Sequence, residues 1–354
     1  MNTKANKYSY ISILTVLSTL AVVILHVNHF WDFQKENWSF YNAIESIFYF
    51  AVPIFIMISG ALLIDYRKKY DTKTYFIKRF TRVVIPYFIF SSLYLLINYL
   101  SGNKYTFKSA IELYLNGKGF GIYGFFICLF NVYLCIPFIS LIPSEKRKKG
   151  FLYLILIGLI LNAILPMIFQ YTGISFTSDW HIDLLGGYLL FALIDYYIHN
   201  YEIKSPIRIM IYILGIASLF IILFGTYNRS IHQGSISTFY KSYTNIFSTL
   251  YATSIFLFFK KLDKYKITFY IGKFCNLLSP YCFGVYLIHK IFQSIFINNV
   301  SFFDNSIGTD IILIVLLFII SIIIYYLYEK SVMIIKKIIY KIKESKKESQ
   351  IQHE

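Results

Sequence analysis

Residues 10–30 read YISILTVLSTLAVVILHVNHF. The run is about 20 residues long, enough for a helix to cross the hydrocarbon core of a bilayer. It carries no Lys, Arg, Asp or Glu, yet it sets His26 and His29 one helical turn apart near its end. Many similar runs follow and no small-residue cleavage site does, so it reads as a membrane anchor rather than a cleaved signal peptide.

The rest of the chain repeats that character. Of 354 residues, 57% are hydrophobic and only 15% charged, more apolar surface than one soluble core can hide. The 33 Tyr and 35 Phe suit rings that settle at membrane interfaces and between helices. A net charge of +16 raises the question of nucleic acid, but a nucleic-acid binder needs a basic folded polar surface, and this chain has almost none. Its partners are expected to include membrane lipids and no nucleic acid. Cys128, Cys135, Cys275 and Cys282 form two pairs seven residues apart, roughly 10 Å along a helix and too far for a bridge within either pair. No CxxC or Cys/His spacing suggests a metal.

A bilayer-length window finds ten candidate spans, at 10–30, 45–64, 82–100, 120–142, 151–170, 182–198, 207–225, 243–259, 276–297 and 309–328. The predicted fold is all-α, a polytopic membrane protein of about ten transmembrane helices. Positive loops stay cytoplasmic. With the N-terminus inside, 27 of the 34 Lys and Arg fall on the cytoplasmic side and six outside, namely Lys35, Lys104, Lys108, Lys118, Arg229 and Lys241, while Lys290 lies within a span. Both termini are therefore expected in the cytoplasm. We divide the chain into a transmembrane domain, 1–330, and a tail, 331–354, whose alternating apolar and basic residues suit an anionic inner leaflet.

An ionisable side chain within a span costs a few kcal/mol, so each is a functional candidate. His26, His289, Lys290 and Asp195 are the clearest; Glu45, Asp179, His181 and Asp183 lie near external helix ends where water lowers the cost. His26 is roughly 24 Å and His289 roughly 20 Å from the cytoplasmic ends of their helices, so the two can share one level in the outer half of the membrane. Tyr286, His289 and Gln293 recur at i, i+3, i+7 and line one helical face. His29 is followed at once by Trp31 and Asp32, and reads as interfacial; Lys290 has the reach to snorkel. Lys78, Arg79 and Arg82 precede Pro86 at the entry to the third span, with Arg79 and Arg82 on one face by their spacing of three. Guanidinium forks suit phosphates, though a positive-inside signal would put the same residues there.

Taken together, VVILHV in the first span, FAVPIFIMISGALL at 50–63, KRFTRVVIPYF at the third span and FGVYLIH at 283–289 resemble the membrane acyltransferase-3 family, the integral-membrane O-acyltransferases of bacterial surface glycans. The resemblance runs in order from residue 10 to about 328. It implies an enzyme of the bacterial plasma membrane that moves an acetyl group from cytoplasmic acetyl-CoA to a sugar hydroxyl of a capsular or other cell-surface polysaccharide or lipid-linked oligosaccharide. Acetyl-CoA would be a donor substrate, and no bound cofactor is implied. Carried over position by position, the resemblance makes His26 and His289 catalytic, aligns Ser59 and Gly60 with the serine-glycine of the second span, and gives Arg79 and Arg82, with Lys78, to the donor. The chain departs from many members at Ser12 and Thr15, where they carry Asp and Arg, and at GIYGFF, where they carry His and Trp. The latter resembles the branch around the intercellular-adhesion polysaccharide protein, for which polysaccharide export or flipping is the alternative activity.

Acetyl transfer to a hydroxyl needs a base and a stabiliser for the tetrahedral oxyanion. Histidine, ordinarily titrating near neutrality, suits the first role, which we expect of His26 as base or transient acetyl carrier. His289, Tyr286 or Lys290 is expected to orient it or to donate to the oxyanion. A transporter would instead carry broken helices in paired halves; Pro53, Pro86, Pro137 and Pro166 are present, without a convincing repeat.

Overall fold

The structure, a computed structural model, describes residues 8–117, 122–174, 187–300 and 306–351. Lys118, Asp179, His181 and Asp183 lie outside the described residues. All regular structure among the described residues is helical, as hydrocarbon demands, because a helix satisfies its own backbone donors and acceptors. Among the described residues, seven helical stretches are long and apolar enough to cross a membrane: Ser9–Val27, Trp38–Lys68, Thr72–Leu100, Ser144–Thr172, Ser205–Gln233, Lys266–Ile297 and Ile307–Ile342. The other three expected spans coincide with the shorter helices α7 (Gly124–Ile139), α10 (Tyr188–Asn200) and α13 (Ile246–Leu262).

Two helices form the centre. The side chains of α3 (Ala51–Leu63) and of α10 are buried nearly all round, which is why α3 reads as apolar on every face rather than along a stripe. They touch at Gly60: a Cβ there would collide with the backbone of Ala192, so glycine is what lets the helices approach. Around this pair stand α1 (Ser9–Val27), α7 and α13, and α15 (Cys282–Asn299) packs against α1. Gly284 plays the same part at the rim, where the ring of Tyr325 from α16 (Ile307–Ile351) fills the space of its missing side chain. By contrast, α11 (Ser205–Phe220) exposes Ile209, Ile213, Ile216 and Phe220, a face suited to acyl chains.

Several segments differ from the sequence expectation. The stretch Lys266–Leu278, most of which falls between the expected spans 243–259 and 276–297, is a helix of its own, α14, docked on α1 with Gly272 against Ser9. It ends at the turn Ser279–Tyr281, which contains Pro280, and α15 follows. The polar stretch before the third span also holds a helix, α4 (Thr72–Arg79), capped by Asp71, whose Oδ1 accepts from the Thr74 N–H at 3.0 Å. A wide, π-helical turn over Phe80–Val84 joins α4 to α5 (Ile85–Leu100) immediately before Pro86. A second such turn, Leu159–Ile164, precedes Pro166 and joins α8 (Ser144–Gly158) to α9 (Leu165–Thr172). Proline lacks the N–H that a regular helix would use and crowds the preceding turn; widening that turn lets the helix continue.

One contact at the far end of α3 went unnoticed in the sequence. Arg147, a member of a basic loop cluster, is buried, and its Nη1 stands 2.5 Å from Asp65 Oδ1. Its remaining donors reach the carbonyls of Ser140 and Ile142 and the hydroxyl of Tyr196. A buried guanidinium so fully partnered ties α8 to α3 and α10.

Candidate active site

The last turn of α1 carries His26, and the middle of α15 carries His289. Their imidazoles meet, Nδ1 of His26 standing 2.9 Å from Nε2 of His289 with ring centroids 5.0 Å apart. On its other side, His289 Nδ1 is 2.7 Å from the carbonyl of Val285, one turn back on its own helix. A carbonyl only accepts, so His289 Nδ1 carries a proton and, with both rings neutral, its Nε2 is an acceptor. His26 Nδ1 therefore donates, and the lone pair of His26 is left on Nε2. Among the described residues that nitrogen has no hydrogen-bond partner, and His26 is partly exposed while His289 is wholly buried.

Further contacts fix the two helices in register. Gln293 Nε2 donates to the carbonyl of His26 at 2.7 Å, and Lys290 donates to Gln293 Oε1 at 2.9 Å. The strip Tyr286, His289, Gln293 thus faces inward, with its last two members bonded to α1. Tyr286 packs its ring edge near His289, 6.1 Å between centroids, but its hydroxyl donates to the carbonyl of Ile122 at 2.9 Å. That hydroxyl is engaged at the start of α7 rather than free at the imidazole pair.

Beyond the pair lies a polar cluster at the same end of the bundle. Asn28 donates to Glu45 Oε2 at 2.9 Å, and Glu45 is buried on α2 (Trp38–Phe48) together with Lys241. The Lys241 ammonium lies 3.9 Å from the centroid of the Phe30 ring. Burial pushes Lys241 down to about 7 against the pull of the Glu45 carboxylate. His29 pairs with Asp310 at 3.2 Å. Lys241 is the residue of this group that the sequence reading missed; it counted only as a loop charge, and nothing local signals its burial.

The three basic residues proposed for the donor do not form one patch. In a regular helix Arg79 and Arg82 would share a face, but the wide turn between them rotates less per residue and carries the two apart in azimuth. Arg79 turns inward, its guanidinium 5.6 Å from the centroid of Tyr133 and 6.0 Å from that of Tyr75. Its Nε is buried and without a hydrogen-bond partner among the described residues. The hydroxyl of Tyr133 lies against both Arg79 and Ser59. One turn along α3 from Ser59, Phe55 meets the ring of Tyr286 at 6.3 Å, so a continuous line of contacts runs from Arg79 toward the imidazoles. Arg82 is exposed and within electrostatic reach of Glu329, and Lys78 sits over the ring of Tyr70 at 3.6 Å.

Asp195 is wholly buried on α10. Its carboxylate accepts from the Ala61 N–H, beside the Gly60 contact, within charge range of Lys260. Where many relatives of the resembled family carry an acid and a base, Ser12 donates to Asn276 at 2.5 Å and Thr15 to the carbonyl of Ile11.

The described residues thus form a helical protein with several helices long and apolar enough to cross a membrane, and two imidazoles meet in its interior. Residues 8–328 match the family described as an acyltransferase domain, acyltransferase-3. The chain belongs to that family and is a membrane acyltransferase. Comparison with curated proteins and with solved structures gave no match.

Proposed function

We propose that the protein is an O-acetyltransferase of the bacterial plasma membrane, moving an acetyl group from acetyl-CoA to a sugar hydroxyl of a cell-surface or capsular polysaccharide. The observation that carries this reading is the tautomer chain Val285 O, His289, His26, which leaves a lone pair on Nε2 of His26. That nitrogen takes the proton of the sugar hydroxyl as its oxygen attacks the acetyl carbonyl; the C–S bond then breaks and the proton passes to the departing thiolate, giving the ester and free CoA. His289 acts as a positioning residue, accepting from Nδ1 of His26 and gaining strength as that ring becomes cationic. Arg79, with its unpartnered Nε, is the residue we assign to an anionic or carbonyl oxygen of the donor; Lys78 and Arg82 would contribute charge from the surface.

The test is transfer of label from acetyl-CoA to membrane glycans by the purified protein in vesicles. Label recovered as an ester on glycan, with free CoA in equal amount, is expected. Intact acetyl-CoA in the presence of acceptor would overturn the reading.

A further inference from the structure

A cavity of about 850 Å³ opens at the His26 end of the bundle, within the range typical of ligand sites. Tyr49, Tyr188, Tyr243, Gln170, Arg229 and Lys241 contribute to its wall. Tyr49 and Tyr243 are stacked at 4.4 Å, the buried Tyr49 backing the half-buried ring of Tyr243. Planar rings beside amide and hydroxyl groups are what a saccharide ring needs, with C–H faces against the former and hydroxyls toward the latter.

Neither histidine lines the cavity, but two series of side chains link its wall to the imidazole pair. Tyr188 and Tyr243 are within electrostatic reach of Tyr286, whose ring borders His289. Lys241 faces Glu45, which bonds Asn28 two residues beyond His26.

Its charge is one-sided. Among the described residues no Asp or Glu lines it, while two cations do. Lys241 is balanced by Glu45 from behind. Arg229 is not balanced: its guanidinium lies over the ring of Phe239, 4.2 Å from the centroid, and it pairs with no carboxylate among the described residues. A guanidinium seated on a ring keeps N–H donors for a planar or tetrahedral oxyanion.

Resting on the acetyl-transfer reading above, we propose that this cavity is the acceptor site and that it selects an acidic saccharide, whose anionic oxygens bind Arg229 while a sugar ring lies against Tyr243. The anion is either a uronic acid carboxylate or a phosphate on the saccharide.

Binding to the full-length protein in nanodiscs, measured without acetyl-CoA, tests this. The probes are an oligoglucuronate, its carboxyl-reduced neutral counterpart and a phosphorylated oligosaccharide of equal length. One or both acidic probes are expected to bind at least about tenfold more tightly than the neutral one, as a charge-assisted bond supplies, and the tighter of the two identifies the anion. Arg229→Gln is expected to abolish the preference, and Tyr243→Ala to weaken all three probes alike. Equal affinity for acidic and neutral probes, a preference that survives in Arg229→Gln, or no binding of any probe overturns the proposal. Because the donor is absent, a protein that selects acidic saccharides but transfers no acetyl group would overturn the reaction and leave the site. Transfer to neutral and acidic saccharides alike would do the reverse.

Discussion

Nε2 of His289 stands 2.9 Å from Nδ1 of His26, and the Val285 carbonyl behind His289 determines which of the two rings holds the shared proton. The pair is therefore directional. One ring is a fixed support on α15, and the other exposes a basic nitrogen at the end of α1.

That asymmetry predicts unequal losses. His26→Ala is expected to lower transfer by about 10²–10⁴-fold, the usual contribution of a general base. His289→Ala should cost less, about ten- to a hundredfold, and should also move the pH–rate profile, because the ring it supports loses its acceptor. O-acetyl signals on surface glycan by NMR, at matched membrane abundance, check the first; the pH profile of label transfer checks the second. Equal losses with an unmoved profile would argue against directional support.

Arg79 is turned inward while Arg82 is exposed. Arg79→Ala is expected to raise the acetyl-CoA concentration needed for half-maximal rate by about ten- to a hundredfold, the worth of a charge-assisted bond. Arg82→Ala should change it by less than about threefold, the scale of a surface ion pair. Donor titrations in vesicles distinguish them, and a larger effect at Arg82 would overturn the assignment.

Lys241 makes a prediction about pH. Burial holds its ammonium down to about 7, against about 10.4 for a free lysine. Between those values the unfolded chain binds a proton that the folded protein lacks, so this residue makes stability rise with pH, and its cost is greatest below about pH 7. Relative to Lys241→Met, the wild-type protein should gain stability between about pH 7 and 9 in thermal unfolding in detergent. A constant difference would mean that Glu45 keeps Lys241 charged throughout.

Gly60 predicts a defect of assembly. A β-carbon at this position meets the Ala192 backbone, which has no flexible end to move aside. Gly60→Ala should cost about 1–3 kcal/mol through overpacking, with Gly60→Val worse. The melting temperature of the purified protein reports it.

How much of this was legible in the sequence follows from what each feature depends on. Apolar runs declare helices because hydrocarbon leaves the backbone no other choice among open chains. The meeting of His26 and His289 was legible as a shared depth, since rise per residue is constant, and the i, i+3, i+7 strip gave the face. The facing of Arg79 and Arg82 was misread because a regular 3.6-residue turn was assumed where Pro86 widens it. Lys241 against Glu45 and Arg147 against Asp65 were invisible: each is a tertiary meeting of distant residues, and neither leaves a local pattern. α14 was missed because Lys266 and Lys273 dilute an apolar face that docks only along one side.

The wide turns carry a consequence for how this chain tolerates change. Each holds more residues than a regular turn, an insertion that the helix has absorbed without breaking. Removing one residue from Leu159–Ile164 would return it toward the regular repeat and leave α9 near its present azimuth, whereas removing one from the regular helix α8 would turn everything beyond it by about 100° about the helix axis. These segments should accept the loss of a single position far more readily than the regular helices beside them.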